Sequence, residues 1–369
     1  MKIIVIVPSL NEEKNISHVT EVIDKGLIDL SKKIEIEALI VSADSGSNDN
    51  TRSVFNKTQT FFPKKNYLFS GKNKGKGKNI YETLKKYNNK ADYFMMFDSD
   101  LKSITPVWIK KMFIPLIKNN SDLNIPIYER NRYEGNTTNH FSSPLIYACL
   151  GKYIAQPIAG DFAFSARLAN KVIQSVSQKS DFGFGIDTLI TWTALLNNFI
   201  ITQVYLDKKI HNPSFSKIVP MFSQVAYSTL YLININRKII KKRLKQTPTS
   251  FKFQNISESY VKKPPQKQIT ETKFEAIKLL SETKNLKENI NAEEWTDILS
   301  RFIKLVLSKK CSNDHLVLIT KLLTGYYLLR VVNYFSEIDG RSKDFVINSL
   351  EEQTLLLRKK LINKNCEPI

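Results

Sequence analysis

The sequence predicts an α/β protein: a mostly parallel, doubly wound sheet in the first part of the chain, followed by an α-helical C-terminal region. Three observations lead there. Short runs of Ile, Val, Leu and Met without polar alternation recur in the first half, as strands buried on both faces require. Amphipathic stretches separate them, the alternation that builds parallel strands through crossover helices. Beyond about residue 268 the short apolar runs stop and long stretches of helical pattern take over.

The elements follow in order. "KIIVIVPS" (2–9) predicts the first strand. A helix is expected from near Asn11, with Glu12 and Glu13 in its first turn and Ile16, Val19 and Ile23 along one side. "IEALIVSAD" (36–44) predicts the second strand, and a helix over 51–60 follows, capped by Asp49 or Asn50. "GKNKGKGKN" (71–79) leads into a helix near 78–87. "DYFMMFDSD" (92–100) predicts a central strand, and the next helix carries Pro106 in its first turn. The longest uncharged stretch, 188–206, contains Asn197, Asn198 and Gln203, so it reads as a buried helix and strand rather than a membrane span. The expected division is a catalytic domain over 1–215, a helix and Pro264-Pro265 linker over 216–268, and helices over 269–369.

Composition narrows the function. With 369 residues and 42% hydrophobic content, the chain can bury a substantial core. A formal charge of +20 favours anionic partners. The basic residues are scattered rather than gathered in one arm, which argues against nucleic acid and equally fits a solvated surface. Cys149, Cys311 and Cys366 lie far apart with no CxxC pair, so neither a zinc knuckle nor a disulfide framework is suggested, and a reducing compartment fits. The N-terminal apolar run is too short for a signal peptide. The expectation is a cytoplasmic protein without an integral membrane segment.

Candidate chemistry gathers where strands end. In doubly wound sheets, ligands bind beyond the carboxyl ends of the strands. Asp98 and Asp100, two apart, would point the same way on a continuing strand and could ligate a hard divalent cation. The alternative is a helix cap at Asp100 or Ser103. In "GKNKGKGKN", glycines let the backbone approach an anion while Lys72, Lys74, Lys76 and Lys78 supply charge. No Ser or Thr follows a Gly-Lys pair, so this is not a P-loop. Asp44, after a strand, could accept a hydrogen bond from a base or ribose. His211 could complete a metal site, since imidazole suits Mn²⁺ as well as zinc. A flexible basic turn, a capping loop and an ordinary surface histidine are the plainer readings of these three.

Together and in this order, "IVPSLNEEKNI", "ADSGSNDNT", "GKGKN", "FDSDL", "QPIAGDFAFS", "GFGIDTL" and "KKIHNP" resemble the GT-A glycosyltransferases that make mannosylglycerate, glucosylglycerate and glucosyl-3-phosphoglycerate. "LLTGYYLLRVVNYF" (322–335) resembles the helical tail of the mannosylglycerate synthases. The resemblance implies a Rossmann-like GT-A catalytic domain, a divalent metal (Mg²⁺ or Mn²⁺), a nucleotide diphosphate sugar donor, a small anionic acceptor and retention of anomeric configuration. It implies that Pro8, Leu10 and Glu12 line the nucleoside pocket, with Asp44 and Ser45 near the base and Lys76 reaching the nucleotide. Asp98 would touch ribose or metal, and Asp100 and His211 would ligate the metal. Ala159, Gly160 and the Asp161 carboxylate would face the donor sugar, and Asp187 would stand near the reacting centre. Thr138 matches a threonine that contacts glycerate, while Arg130 and Arg132 could hold an acceptor carboxylate or phosphate. Asn136 stands where the phosphoglycerate enzymes carry arginine, and Asp161 where the family commonly has glutamate. The C-terminal helices are candidates for an oligomer contact. Competing readings are an inverting or lipid-directed transferase on the same fold, a sugar nucleotidyltransferase, and a non-catalytic nucleotide-binding module.

Overall fold

Residues 1–69, 75–175, 183–212, 215–253, 256–257, 262–283 and 286–363 are described by the computed structural model. Gly71, Lys72, Lys74 and Cys366 lie outside the described residues. The chain divides into two compact units, Met1–Tyr128 with Ile158–Pro213, and Glu129–Pro157 with Ser214–Ile369. Residues 129–157, expected within the catalytic domain, therefore group with the C-terminal helices.

In chain order the first unit contains β1 (Lys2–Ser9), α1 (Ile16–Ser31), β2 (Glu37–Asp44), α2 (Thr51–Lys57), β3 (Lys64–Leu68), α3 (Lys76–Tyr87), β4 (Tyr93–Met96) and α4 (Pro106–Lys118). The strand β5 (Leu123–Asn131) ends in the second unit, which adds a π-helical turn (Thr138–Ser142) and α5 (Ser143–Leu150). The chain returns to the first unit with β6 (Phe162–Ser165), α6 (Ala166–Ser175), α7 (Ile186–Leu196) and β7 (Ile201–Lys208). The second unit continues with α8 (Ile218–Ile235), α9 (Arg237–Leu244), β8 (Ile256–Ser257), α10 (Gln266–Leu279), α11 (Ala292–Ser308), α12 (Asn313–Ile338) and α13 (Lys343–Ile362).

The strand order is β3-β2-β1-β4-β6-β5-β7. β1 pairs in parallel with β2 and β4, and β2 with β3, so their carboxyl ends share one rim. β6 runs antiparallel to both β4 and β5, so the sheet is mixed but mostly parallel. β1 lies centrally because both faces are apolar: Ile3, Val5, Ile6 and Val7 are fully buried. Each such side chain stabilises the fold by about 1.5–3 kcal/mol relative to exposure.

Two expected boundaries moved. α1 begins at Ile16 rather than near Asn11. Asn11 takes φ 57° and its side-chain oxygen accepts from the Asn48 amide, so this stretch is spent joining two loops. β4 ends at Met96, which places Asp98 and Asp100 in the following loop rather than on one strand face.

The second unit is built on helices. Phe222 of α8 stacks on Tyr327 of α12 at 3.7 Å between centroids, and the Trp295 indole donates to the His140 carbonyl. Leu316, Ile319 and Leu323 are buried, as their helical spacing predicts for core. By length and composition, Phe215–Ile235 and Asn313–Ile338 could each cross a membrane; 56% and 61% of their most apolar windows are buried inside the fold.

Candidate active site

The loops after β1 and β2 are stitched together. The Asn11 amide donates to Ser47 Oγ at 2.9 Å, the Glu12 amide to Thr51 Oγ1 at 2.7 Å, and the Asn50 amide to Glu13 Oε2 at 3.0 Å. Pro8 is buried in β1, Leu10 is exposed, and Glu12 Oε2 accepts from Asn15 Nδ2. Asp44, the last residue of β2, is fully buried. Its Oδ1 accepts from the Gly46 and Ser47 amides, both at 2.7 Å, which is an Asx turn. Its Oδ2 is buried without a partner. An empty acceptor of this kind costs about 1–3 kcal/mol, a cost that a donor on a ligand would remove. Ser45 accepts from Asn79 Nδ2 at 2.6 Å, which ties α3 to this loop.

Lys76 opens α3. A Cβ on Gly77 would fall 2.5 Å from the Gly183 carbonyl oxygen, so glycine lets the start of α3 press against the turn before α7. That approach brings Lys76 to Asp187 in the first turn of α7. Lys76 Nζ donates to Asp98 Oδ1 at 2.7 Å and lies 3.6 Å from Asp187 Oδ2. Asp187 Oδ1 is buried without a partner.

The Asp-x-Asp loop is fastened to the segment after β7. The Lys102 amide donates to the Ile210 carbonyl at 2.8 Å, the Ile210 amide to Ser103 Oγ at 2.8 Å, and the Asn212 amide to Asp100 Oδ2 at 3.2 Å. The helix-cap alternative for Asp100 and Ser103 thereby falls: α4 is capped at Thr105 and both side chains face residues 210–212. His211 Nδ1 stands 4.0 Å from Asp100 Oδ2, and both side chains are about one-fifth exposed.

Asp161 is fully buried behind Asp98. Its Oδ1 accepts the Asp98 amide at 2.8 Å, and its Oδ2 takes the Tyr128 hydroxyl at 2.8 Å and Lys209 Nζ at 2.6 Å. Ala159 is buried, and Gly160, at φ +88°, lies directly against the Asp98 carboxylate.

Negative charge outweighs positive in this cluster. Four carboxylates (Asp98, Asp100, Asp161, Asp187) face two ammonium groups (Lys76, Lys209). Burial alone would raise Asp98, but Lys76 and Lys209 outweigh it and hold its carboxyl well below the usual range. Asp100 is pushed up to about 6 by burial and by the charge of Asp98. Asp187 is also pushed up to about 6 by burial, against the pull of Lys76. Burial raises Asp161. For Lys76, burial disfavours the charge, but Asp187 and Asp98 outweigh it and raise its pKa. With all groups ionised the cluster lacks two positive charges, which a divalent cation would supply.

The residues fit such an ion. His211 Nδ1 and Asp100 Oδ2 stand 4.0 Å apart, close enough for one divalent cation to reach both. Among the described residues no cluster of three or more acidic, His or Cys side chains could hold a metal. Two protein ligands suit an ion that takes its remaining ligands from phosphate and water.

The other candidates lie in the second unit. Arg130, Thr138 and Gln156 line one narrow cavity, and Arg130 Nε donates to Gln156 Oε1 at 3.3 Å. Arg132 is not among its lining residues; it is buried, and its Nη1 donates to the Arg341 carbonyl. The sequence reading missed Lys209 and Tyr128. Lys209 was legible in "KKIHNP", two residues before His211 and so on its side of an extended segment. Tyr128, in an ordinary strand, carried no signal.

Residues 4–173 match the model described as Glycosyl transferase family 2. Over these residues the chain has the GT-A fold, and the match supports a glycosyltransferase. Among solved structures, the chain is similar to glucosyl-3-phosphoglycerate synthase from Mycobacterium tuberculosis in complex with Mn²⁺, UDP-glucose and phosphoglyceric acid. The identity is 23% and the TM-score 0.50, over 63% of this chain and 79% of that one. Another solved structure, described only as a mycobacterial protein, is similar at 25% identity and TM-score 0.50, over 63% of this chain and 74% of that one. These likenesses establish the fold. No curated protein matches the chain.

Proposed function

We propose that the chain transfers a hexose from a nucleoside diphosphate sugar to a small hydroxy acid, with a divalent cation held by Asp100 and His211. The observation that carries this reading is the 4.0 Å approach of His211 to Asp100 beside the Lys76–Asp98 pair at the sheet's ligand-binding rim. The cation, when bound, offsets the diphosphate charge and makes it a better leaving group. Lys76, with one hydrogen bond to Asp98, keeps N–H donors for the diphosphate. Asp44 Oδ2 accepts from the base, replacing an empty buried position with a charge-assisted bond. Asp187 Oδ1 accepts a sugar hydroxyl and stabilises positive charge developing on the sugar. Asp161, with both oxygens engaged, holds Asp98 in place rather than touching the donor.

Arg130 and Thr138 are assigned to the acceptor because they lie side by side around one small cavity, of about 10 Å³, and supply a cation and a hydroxyl that would suit a hydroxy acid once that cavity widens. The similar mycobacterial synthase is a complex with UDP-glucose and phosphoglyceric acid, which favours that donor and acceptor class here. Asn136 in place of arginine favours glycerate over its phosphate. Transfer proceeds with retention.

The test is a panel of UDP- and GDP-sugars with Mn²⁺ or Mg²⁺, offered glycerate and 3-phosphoglycerate, with products read by mass spectrometry and NMR. The expected result is a hexosylglycerate of unchanged anomeric configuration, lost on chelation. Pyrophosphate release from an NTP and a sugar phosphate, or product formation only with lipid acceptors, would overturn the reading.

A further inference from the structure

Lys209 stands just past the end of β7, and its side chain is only 3% exposed. Its ammonium meets three acceptors: Asp161 Oδ2 at 2.6 Å, the Ala159 carbonyl at 2.8 Å and Asp98 Oδ2 at 3.2 Å. It also lies 5.1 Å from the centroid of the Tyr128 ring, whose hydroxyl donates to the same Asp161 oxygen. An ammonium has three N–H donors and no acceptor, so these three partners satisfy it completely. No donor remains for a phosphate. That separates Lys209 from Lys76, which has one hydrogen bond and lies at the more open edge of the cluster.

The three acceptors come from two segments distant in sequence, the Asp98 loop and the 159–161 turn. That turn already presses on Asp98 through Gly160, which has no room for a side chain there. The contact puts backbone and two carboxylates against one another, an arrangement that repels unless a cation lies between them. Lys209 is that cation. Asp98 is then fully committed, Oδ1 to Lys76 and Oδ2 to Lys209. Two ammonium groups on one carboxylate disfavour a third, divalent cation at the same oxygens.

We propose that Lys209 is a positioning residue: a built-in cation that locks the 159–161 turn onto Asp98 and withholds Asp98 from the metal, leaving Asp100 and His211 to hold it. The metal half of this inference rests on the glycosyltransfer reading; the locking half does not.

The locking half is tested by hydrogen exchange on the full, ligand-free chain carrying Lys209→Met. Peptides covering 97–101 and 158–162 should exchange at least about tenfold faster than in wild type, while those of α11 to α13 do not change. Unchanged exchange in those two peptides overturns the lock. If Lys209→Met alone fails to fold, the double variant with Asp161→Asn removes both charges of the pair. It should melt closer to wild type than the single variant; a double variant no more stable than the single one overturns the pairing. The metal half is tested by Mn²⁺ titration without nucleotide. Lys209→Met should bind Mn²⁺ at least about tenfold more tightly, because a cation leaves and Asp98 Oδ2 becomes available. Unchanged or weaker binding overturns it. A wild-type chain that takes up no Mn²⁺ counts against the proposed function and overturns the metal half, while the exchange result still decides the lock.

Discussion

Replacing Gly160 by alanine puts a methyl carbon into space that the Asp98 carboxylate occupies. The new Cβ would fall 2.2 Å from Oδ2, 2.9 Å from Cγ and 3.2 Å from Oδ1. A carbon–oxygen contact relaxes at about 3.3–3.6 Å, so the carboxylate must retreat by roughly 1 Å. The Lys76 and Lys209 bonds, now 2.7 and 3.2 Å, cannot both survive that retreat. Losing one bond to a charged group costs about 1.5–3 kcal/mol. The backbone adds to this: at φ +88° a side chain costs about 1–2 kcal/mol more than glycine. The total of about 2.5–5 kcal/mol is a large share of the ~5–15 kcal/mol that stabilises a typical domain. Urea unfolding reads it directly, and sugar transfer by the folded fraction should fall about 10²-fold from the misplaced carboxylate. A variant within about 1 kcal/mol of wild type, with normal turnover, would refute the claim that the turn packs on Asp98.

Asp44→Asn keeps the Oδ1 that closes the Asx turn and replaces the empty acceptor with a donor. Nucleotide affinity by calorimetry should fall about 10- to 100-fold while Mn²⁺ affinity is unchanged; equal loss of both would place Asp44 elsewhere in the mechanism. Asp187, held at about 6, should give transfer a limb present above that pH and lost as pH falls through it. Burial raises Asp187 and Lys76 lowers it, so Lys76→Met should move the limb to higher pH; a downward move contradicts the assignment. For the ligand-free fold the sign reverses. A carboxyl with a higher pKa folded than unfolded binds more protons in the native state, so its contribution falls as pH rises from about 4 to about 6. His211→Ala should weaken Mn²⁺ binding at least about tenfold while circular dichroism keeps the wild-type helix and strand content. Unchanged metal affinity would return His211 to an ordinary loop residue.

The sheet was legible because its signal is local. β1 and β2 are apolar on both faces, and only a strand between covered layers tolerates that. The ends of strands were less legible. "DYFMMFDSD" continues in sequence past Met96, but after Phe97, whose amide still donates to the Ile6 carbonyl, the chain is drawn into the loop that Ser103 and Asp100 tie to residues 210–212. That pairing spans more than a hundred residues, and no periodicity reports it. Residues at the carboxyl rim of the sheet could be named from their positions at strand ends. Their partners could not. Asp161 reads in sequence as a carboxylate facing the sugar, yet the structure places it behind Asp98 with both oxygens taken. The same holds for Arg132, whose guanidinium suits an acceptor carboxylate or phosphate and which the fold instead buries against the Arg341 carbonyl.

The most direct measurement is diffraction at the manganese edge from crystals grown with Mn²⁺ and a nucleoside diphosphate. An anomalous peak is expected about 2.2 Å from a carboxylate oxygen of Asp100 and from a ring nitrogen of His211, with phosphate oxygens completing the shell and Lys209 still on Asp98. A peak bridging Asp98 and Asp161, or none near His211, would contradict it.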